Sequence, residues 1–533
     1  MNKRFFILMV LLSSARVAIA QQLPDIDVLH YRFELSLEDS TDSIEGNATV
    51  RFKSLAPVNR ITLNLTSPDA GKGMRVSAVK LNNQVINYQQ MDNKLVMNLS
   101  KTLKVGDIAE INVLYAGIPT GGLIISKSKF GQRTFFGDNW PNRAQNWLPC
   151  VDEPRDKASV EFLVKAPEHY KVISNGILQE ESHLANNRKL TYWKEDVVLP
   201  TKVMVIGVAD FDVQLSGTVS GIPVSSWVYP ENRKEGFYDY GVGPGILSYF
   251  IKTVGPYGYK KLAHVQSKTT YGGLENAGAI FYAERSVTGT RSSESTVAHE
   301  TAHQWFGDMA TETEFAHLWL SEGFATYMSA LYMESRYGHD TLVSTLKKDR
   351  LRVINFYKSY QQPVVDTYAT DYMKLLNANS YQKGAWVLHM LRIKLGNDMF
   401  YKSVRKYYAT FAGKNANTDD LRKVVERVSG ENLQSFFQQW LYTAGHPDLD
   451  VTWTYIPGKK TVQITVAQKQ AHVFLFPLEV QWKSTAAGKE VISRFNITKK
   501  KQVFTFSAGS KPVGMILDPN TNLLFEGSIH EAQ

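Results

Sequence analysis

The sequence predicts a multidomain α+β fold, β-rich at both ends and mainly helical in the middle. Strand-like alternation of apolar and polar residues fills the chain from about Pro24 to Val213. Helical periodicity dominates from about Glu235 to Gly445, and alternation returns beyond Pro447. At 533 residues the chain exceeds what one hydrophobic core supports and should divide into about two to four domains. Hydrophobic content of 43% and charged content of 21% are ordinary for a folded globular protein and exclude disordered and collagen-like classes.

The first twenty residues, "MNKRFFILMVLLSSARVAIA", form a separate object. A basic start (Lys3, Arg4), an apolar run from Phe5 to Leu12 and a small-x-small site at Ala18-Ile19-Ala20 read as a secretory signal peptide over 1–20. Its apolar core is too short to span a bilayer, and no later stretch approaches the roughly 18 apolar residues of a transmembrane helix. No cysteine follows the cleavage site, so a lipid anchor there is not expected. The mature chain is therefore expected to be exported, periplasmic or secreted, with no membrane span.

Export gives Cys150 its context. As the only cysteine it can form no internal disulfide, and between Leu148-Pro149 and Val151 it reads as a small buried hydrophobe. The formal charge is +9, of which Lys3, Arg4 and Arg16 supply three, leaving +6 for the mature chain. Those charges are dispersed and offer no basic stripe with aromatic platforms, so nucleic acid is not expected as a partner.

Each region has its own pattern. Residues 21–214 carry "NATVRFKSL", "ITLNLT", "KLVMNLS", "EINVLYAG" and "VEFLVKAP", a β domain with no long helical period. Residues 215–445 carry "GILSYFIKTVG", "SESTVAHETAHQWFGD", "HLWLSEGFATYMSALYMESRYG", "DTLVSTLKKDRLRVINFY" and "GAWVLHMLRIKLG". There "TDDLRKVVERVSG" opens on Thr418 as N-cap and closes on Gly430. Residues 446–533 hold seven or so short strands, the pattern of a small β-sandwich.

Within the helical part, "VAHETAHQWFGD" places His299 and His303 four residues apart, on one face of a helix from about Ser293 to Phe306. One tetrahedral ion can take both imidazoles, with Glu300 beside the open position. An amphipathic helix with incidental histidines would show the same spacing. A third ligand separates the two readings, because a hydrolytic zinc needs three protein ligands and one free position. Glu322, in "LWLSEGFATY", follows His303 after eighteen intervening residues, long enough to leave the first helix, turn and return.

These residues resemble the zinc signature of peptidase family M1, the gluzincin aminopeptidases related to aminopeptidase N and leukotriene hydrolase. "GGLEN", Gly272 to Asn276, resembles the family's G-x-M-E-N with Leu274 for methionine, "YQKGAW" places Tyr381 on its catalytic tyrosine, and "LPCVDEP" resembles a segment of its first domain. The resemblance implies a saddle-like N-terminal β domain, a thermolysin-like catalytic domain and a C-terminal β-sandwich, without the large helical fourth domain of many members. It implies one Zn²⁺ per chain on His299, His303 and Glu322, Glu300 as general base and Tyr381 as oxyanion donor. Gly272, Gly273, Leu274, Glu275 and Asn276 would bind an extended substrate, with Glu275 taking the α-ammonium of a peptide with a free N-terminus. Many relatives add a polar residue shortly before "LPC" to grip that amine. Here the two positions hold Asp138, which would take the role or cap its own turn, and Trp140, whose indole cannot accept a hydrogen bond. His317 would orient a ligand or be an ordinary helix histidine. Three functions stay in view: zinc aminopeptidase, hydrolase of a non-peptide, and idle binding module. The last predicts a missing ligand, base or tyrosine, and none is missing.

Overall fold

The structure, a computed structural model, describes residues 25–484 and 490–532; the expected signal peptide lies outside the described residues. The N-terminal part is built on an eight-stranded sheet. Its strand Ile26–Ser36 pairs parallel with Lys157–Pro167 and antiparallel with Ile44–Ser54. Alternation dictates the faces: along Ile44–Ser54, Ile44, Ala48, Val50 and Phe52 are buried while Glu45, Arg51 and Lys53 are exposed. Tyr31, Phe33, Phe162 and Trp147 stack beneath this sheet. Cys150 is fully buried among them and free. A second, four-stranded sheet contains Arg133–Asp138, which delivers the Asp138–Trp140 segment to the middle of the molecule.

The expected border at 214/215 falls inside a strand. Asp212–Val219 pairs with Ile222–Val228, which pairs parallel with Leu262–Ser267 in a five-stranded sheet of the central part. The strand therefore belongs to the central part rather than to the N-terminal domain, because pairing, not local alternation, assigns it. Two further strands of this sheet, Leu262–Ser267 and Ala279–Ala283, are buried at every residue. Covered on both faces, they lack the period-two signal and were not expected in a region read as helical. The order ends on the short edge strand Gly273–Leu274, antiparallel to Ala279–Ala283.

The helix Glu294–His303 meets the Gly273–Leu274 edge of this sheet, and the helices Trp319–Tyr337, His339–Tyr357, Gly384–Leu395, Asn397–Phe411 and Thr418–Ser429 follow, each packed on a neighbouring helix. The N-cap of the last is Asn417, not Thr418. Asn417 Oδ1 accepts from the Asp420 N–H at 3.0 Å and Asp420 Oδ2 accepts from the Asn417 N–H at 2.9 Å, a reciprocal capping box. Gly430 ends the helix at φ 74°.

Seven described strands in two sheets come next along the chain, four-stranded and three-stranded, with Phe495 against Phe504 and Phe506, and Trp482 against Phe506, between them. The three parts are tied by ion pairs: Lys202 to Glu312, buried, from the N-terminal side, and Arg350 to Asp518, half-buried, from the sandwich side. Among the described residues no helix is long and apolar enough to cross a membrane.

Candidate metal centre and active site

The helix Glu294–His303 ends on its second histidine, three residues earlier than the pattern suggested. The chain then turns, adds a short strand Ala310–Glu312 and a 3₁₀ turn Phe315–His317, and returns as Trp319–Tyr337 with Glu322 in the first turn. This return brings three donor atoms together. His299 Nε2 lies 3.1 Å from His303 Nε2 and 3.3 Å from Glu322 Oε2, and His303 Nε2 lies 3.2 Å from Glu322 Oε2. A tetrahedron with metal–ligand bonds of about 2.0 Å has edges of about 3.3 Å, so the three atoms fit three corners of a zinc site. Among the described residues no other group of three His, Cys, Asp or Glu donors has this closeness.

His303 is aimed by its neighbours. Its Nδ1 lies 3.0 Å from the Phe306 carbonyl and 3.0 Å from Ser321 Oγ. A carbonyl only accepts, so Nδ1 donates and Nε2 keeps its lone pair for a metal. Ser321, adjacent to Glu322, was not singled out from the sequence. His317 orients no ligand; its Nδ1 is 2.9 Å from Thr418 Oγ1, and burial pulls its pKa down to about 4.

Glu300 lines a cavity of about 170 Å³ together with the three donors, Tyr381 and the Gly272–Glu275 segment. Burial pushes its carboxyl well above the usual carboxylate range, Glu275 and Glu322 add to the rise, and His303 opposes it. Tyr381 sits in a π-helical turn, Asn379–Lys383, with its ring nearly parallel to the His299 imidazole, centroids 6.0 Å apart. Two glycines put it there: a Cβ on Gly323 would lie 2.9 Å from the Gly384 Cα, so the helices Trp319–Tyr337 and Gly384–Leu395 cross backbone to backbone. Glu322 and Tyr381 flank that crossing.

Leu274 and Glu275 are buried in the cavity wall, and Glu275 Oε1 has no hydrogen-bond partner. Asn276 is not in the wall. It is 1% exposed, and its carbonyl accepts from the Ala279 N–H at 2.9 Å, closing the turn into the next strand. Asp138 departs from both of its expected roles. It ends the strand Arg133–Asp138, is 1% exposed, pairs with Arg143 and accepts from Thr269 Oγ1 at 3.2 Å. An arginine five residues on thus satisfies a carboxylate that was expected to hold an amine. Trp140 does reach the wall, where Tyr271 and Leu376 join it. Roomier hollows of about 960 and 590 Å³ lie over the N-terminal sheet and against the C-terminal sandwich, but the three-donor cluster lines neither.

Two histidines one turn apart, completed by a glutamate from the next helix, make the donor set of a gluzincin-type zinc site. Comparison with known proteins makes this specific. The Peptidase M1 N-terminal domain model matches residues 28–203 and the Peptidase family M1 domain model matches residues 240–440. The chain belongs to peptidase family M1, and membership implies zinc as the metal. It is 28% identical over 415 residues to Aminopeptidase M1 of Arabidopsis thaliana, covering 73% of this chain and 46% of that one. It is 32% identical over 327 residues to Aminopeptidase M1-D of Oryza sativa subsp. japonica, covering 58% and 37%. The chain thus spans less than half the length of these curated relatives. Among solved structures, the M1 zinc metallopeptidase of Deinococcus radiodurans aligns with TM-score 0.68 and 25% identity over 79% of this chain and 95% of that one. Aminopeptidase A of Legionella pneumophila, solved with aspartic acid, shares the fold with TM-score 0.82 and 17% identity over 96% and 61%.

Proposed function

We propose that this protein is a zinc-dependent aminopeptidase that removes N-terminal residues from peptides. The observation that carries the reading is Glu275 Oε1, a buried carboxylate oxygen without a partner, in the wall of the cavity that holds the three metal donors. A buried anion is costly unless something of opposite charge meets it, and a substrate's α-ammonium is such a group.

His299, His303 and Glu322 would hold the zinc, which when bound supplies a Lewis acid that polarises a carbonyl and acidifies water. Glu300, in the same cavity but outside the ligand set, takes the proton from the attacking water and passes it to the leaving amine. Tyr381 donates its hydroxyl to the oxyanion that develops on the scissile carbonyl. The edge strand Gly273–Leu274 leaves one side of the sheet free for an extended peptide. Glu275 sits next along the chain and fixes the free end, which limits cleavage to the first peptide bond.

The test compares one fluorogenic peptide with a free and an acetylated N-terminus. Cleavage of the free form alone is expected. Equal cleavage of both would replace this reading by an endopeptidase. Residues 1–20 support export, and mass spectrometry of the exported protein should find Gln21 first; an intact Met1 start would remove that inference.

A further inference from the structure

Gln304 follows His303 and is fully buried. Its amide makes three hydrogen bonds, two through its nitrogen and one through its oxygen. Nε2 donates to the Glu275 carbonyl at 2.6 Å and to Asp308 Oδ2 at 2.8 Å. Oε1 accepts from the Gly278 N–H at 2.8 Å; the Tyr257 hydroxyl lies 3.2 Å away but has the Lys261 carbonyl nearer, at 3.0 Å. The orientation of the amide is unique, because a backbone carbonyl only accepts and a backbone N–H only donates. One side chain therefore grips both ends of the Glu275–Gly278 turn, which lies between the edge strand and Ala279–Ala283 and has no ladder of its own.

The Glu275 carboxylate contrasts with its backbone. Its Oε1 has no partner, so the position of this oxygen is inherited from the backbone that carries it. We infer that Gln304 is a positioning residue for substrate recognition: it ties the backbone of Glu275 to the end of the histidine helix and so sets the span between the amine-binding carboxylate and the metal centre. This rests on the aminopeptidase reading above. Loss of the Nε2 bonds should leave the metal ligands in place, since His299, His303 and Glu322 are held by their own helices and by Phe306 and Ser321. It should weaken only ligands that use metal and amine together.

The experiment is calorimetric titration of the zinc-loaded protein with leucine hydroxamate and with 4-methylpentanohydroxamate, the same chelator without the α-amino group. Wild type should prefer the amine-bearing ligand. Gln304→Glu places an oxygen against the Glu275 carbonyl and the Asp308 carboxylate. It should keep one zinc per chain, weaken leucine hydroxamate by about tenfold or more, and leave the amine-free ligand within about twofold. Gln304→Met removes the amide at similar volume and should shift the same ratio by about threefold or more; it decides the matter if Gln304→Glu does not fold. Parallel weakening of both ligands would show general loosening and overturn the inference, as would an unchanged ratio in a folded variant. Equal binding of the two ligands by wild type would instead remove the amine reading itself, and the inference with it.

Discussion

Replacing Gly273 by alanine tests the placement of Glu300 without touching Glu300. A Cβ built on Gly273 lies 2.5 Å from each of Glu300 Cγ, Cδ and Oε1. Nonbonded carbons rest at about 3.5–4.0 Å, so the carboxylate must retreat by about 1 Å. The movement is cheap for the fold: the obstructing atoms end a flexible side chain, and Gly273 lies outside the left-handed region, so alanine adds no backbone strain. It is expensive for chemistry, where a misplacement of about 1 Å costs about 100-fold. Gly273→Ala should therefore bind zinc fully, melt within a few degrees of wild type, and lose about 100-fold in kcat/KM on a fluorogenic aminoacyl amide. The neighbouring glycine is the control. A Cβ on Gly272 would meet only Thr296 Cγ2, at 3.9 Å, an ordinary contact. Gly272→Ala should lose less than about tenfold. If zinc-loaded Gly273→Ala keeps kcat/KM within about threefold of wild type, the position of the Glu300 carboxylate does not govern the reaction and the general-base assignment fails.

Chelation should abolish hydrolysis and Zn²⁺ should restore it, while Glu300→Gln should retain the metal and lose turnover; an active metal-free protein would refute the mechanism. Tyr381→Phe should lower kcat by about 100- to 1000-fold with a smaller change in KM, and a near wild-type kcat would make Tyr381 a packing residue. Asp156 supplies a pH test of the N-terminal domain. Burial, with Asp27 and Glu153 adding to it, pushes its carboxyl from 3.8 up to about 8, against the Val28 N–H and Arg155. A raised carboxyl stabilises the fold below its unfolded value, and that contribution is lost as pH rises through the folded value. Asp156→Asn should therefore gain on wild type between about pH 4 and 8, by about 1 kcal/mol or more in total, and the difference should level off above. A difference independent of pH in denaturation curves would contradict this.

The sequence by itself determined what depends on neighbours a few residues apart. A helix repeats every 3.6 residues, so His299 and His303 had to share a face wherever that helix went. Alternation placed Ile44, Val50 and Phe52 on one side of their strand for the same reason. The need for a third ligand pointed to Glu322 and the family resemblance added Tyr381, because both positions are written in the chain. Tertiary structure decided what depends on pairing between distant segments. Asp138 and Thr269, 131 residues apart, share a hydrogen bond that only the folded chain makes. His317, which its sequence neighbours leave open between orienting a ligand and an ordinary helix role, turns to Thr418, 101 residues away. The strands Leu262–Ser267 and Ala279–Ala283 hide because burial on both faces erases alternation. Gln304 was as visible in "HETAHQW" as the histidines, but its meaning lies in the Glu275–Gly278 turn, 26 and 29 residues upstream in sequence and in contact only once folded. Periodicity fixes which face a side chain occupies; what that face meets is settled by long-range packing and polar partners, which no local pattern encodes.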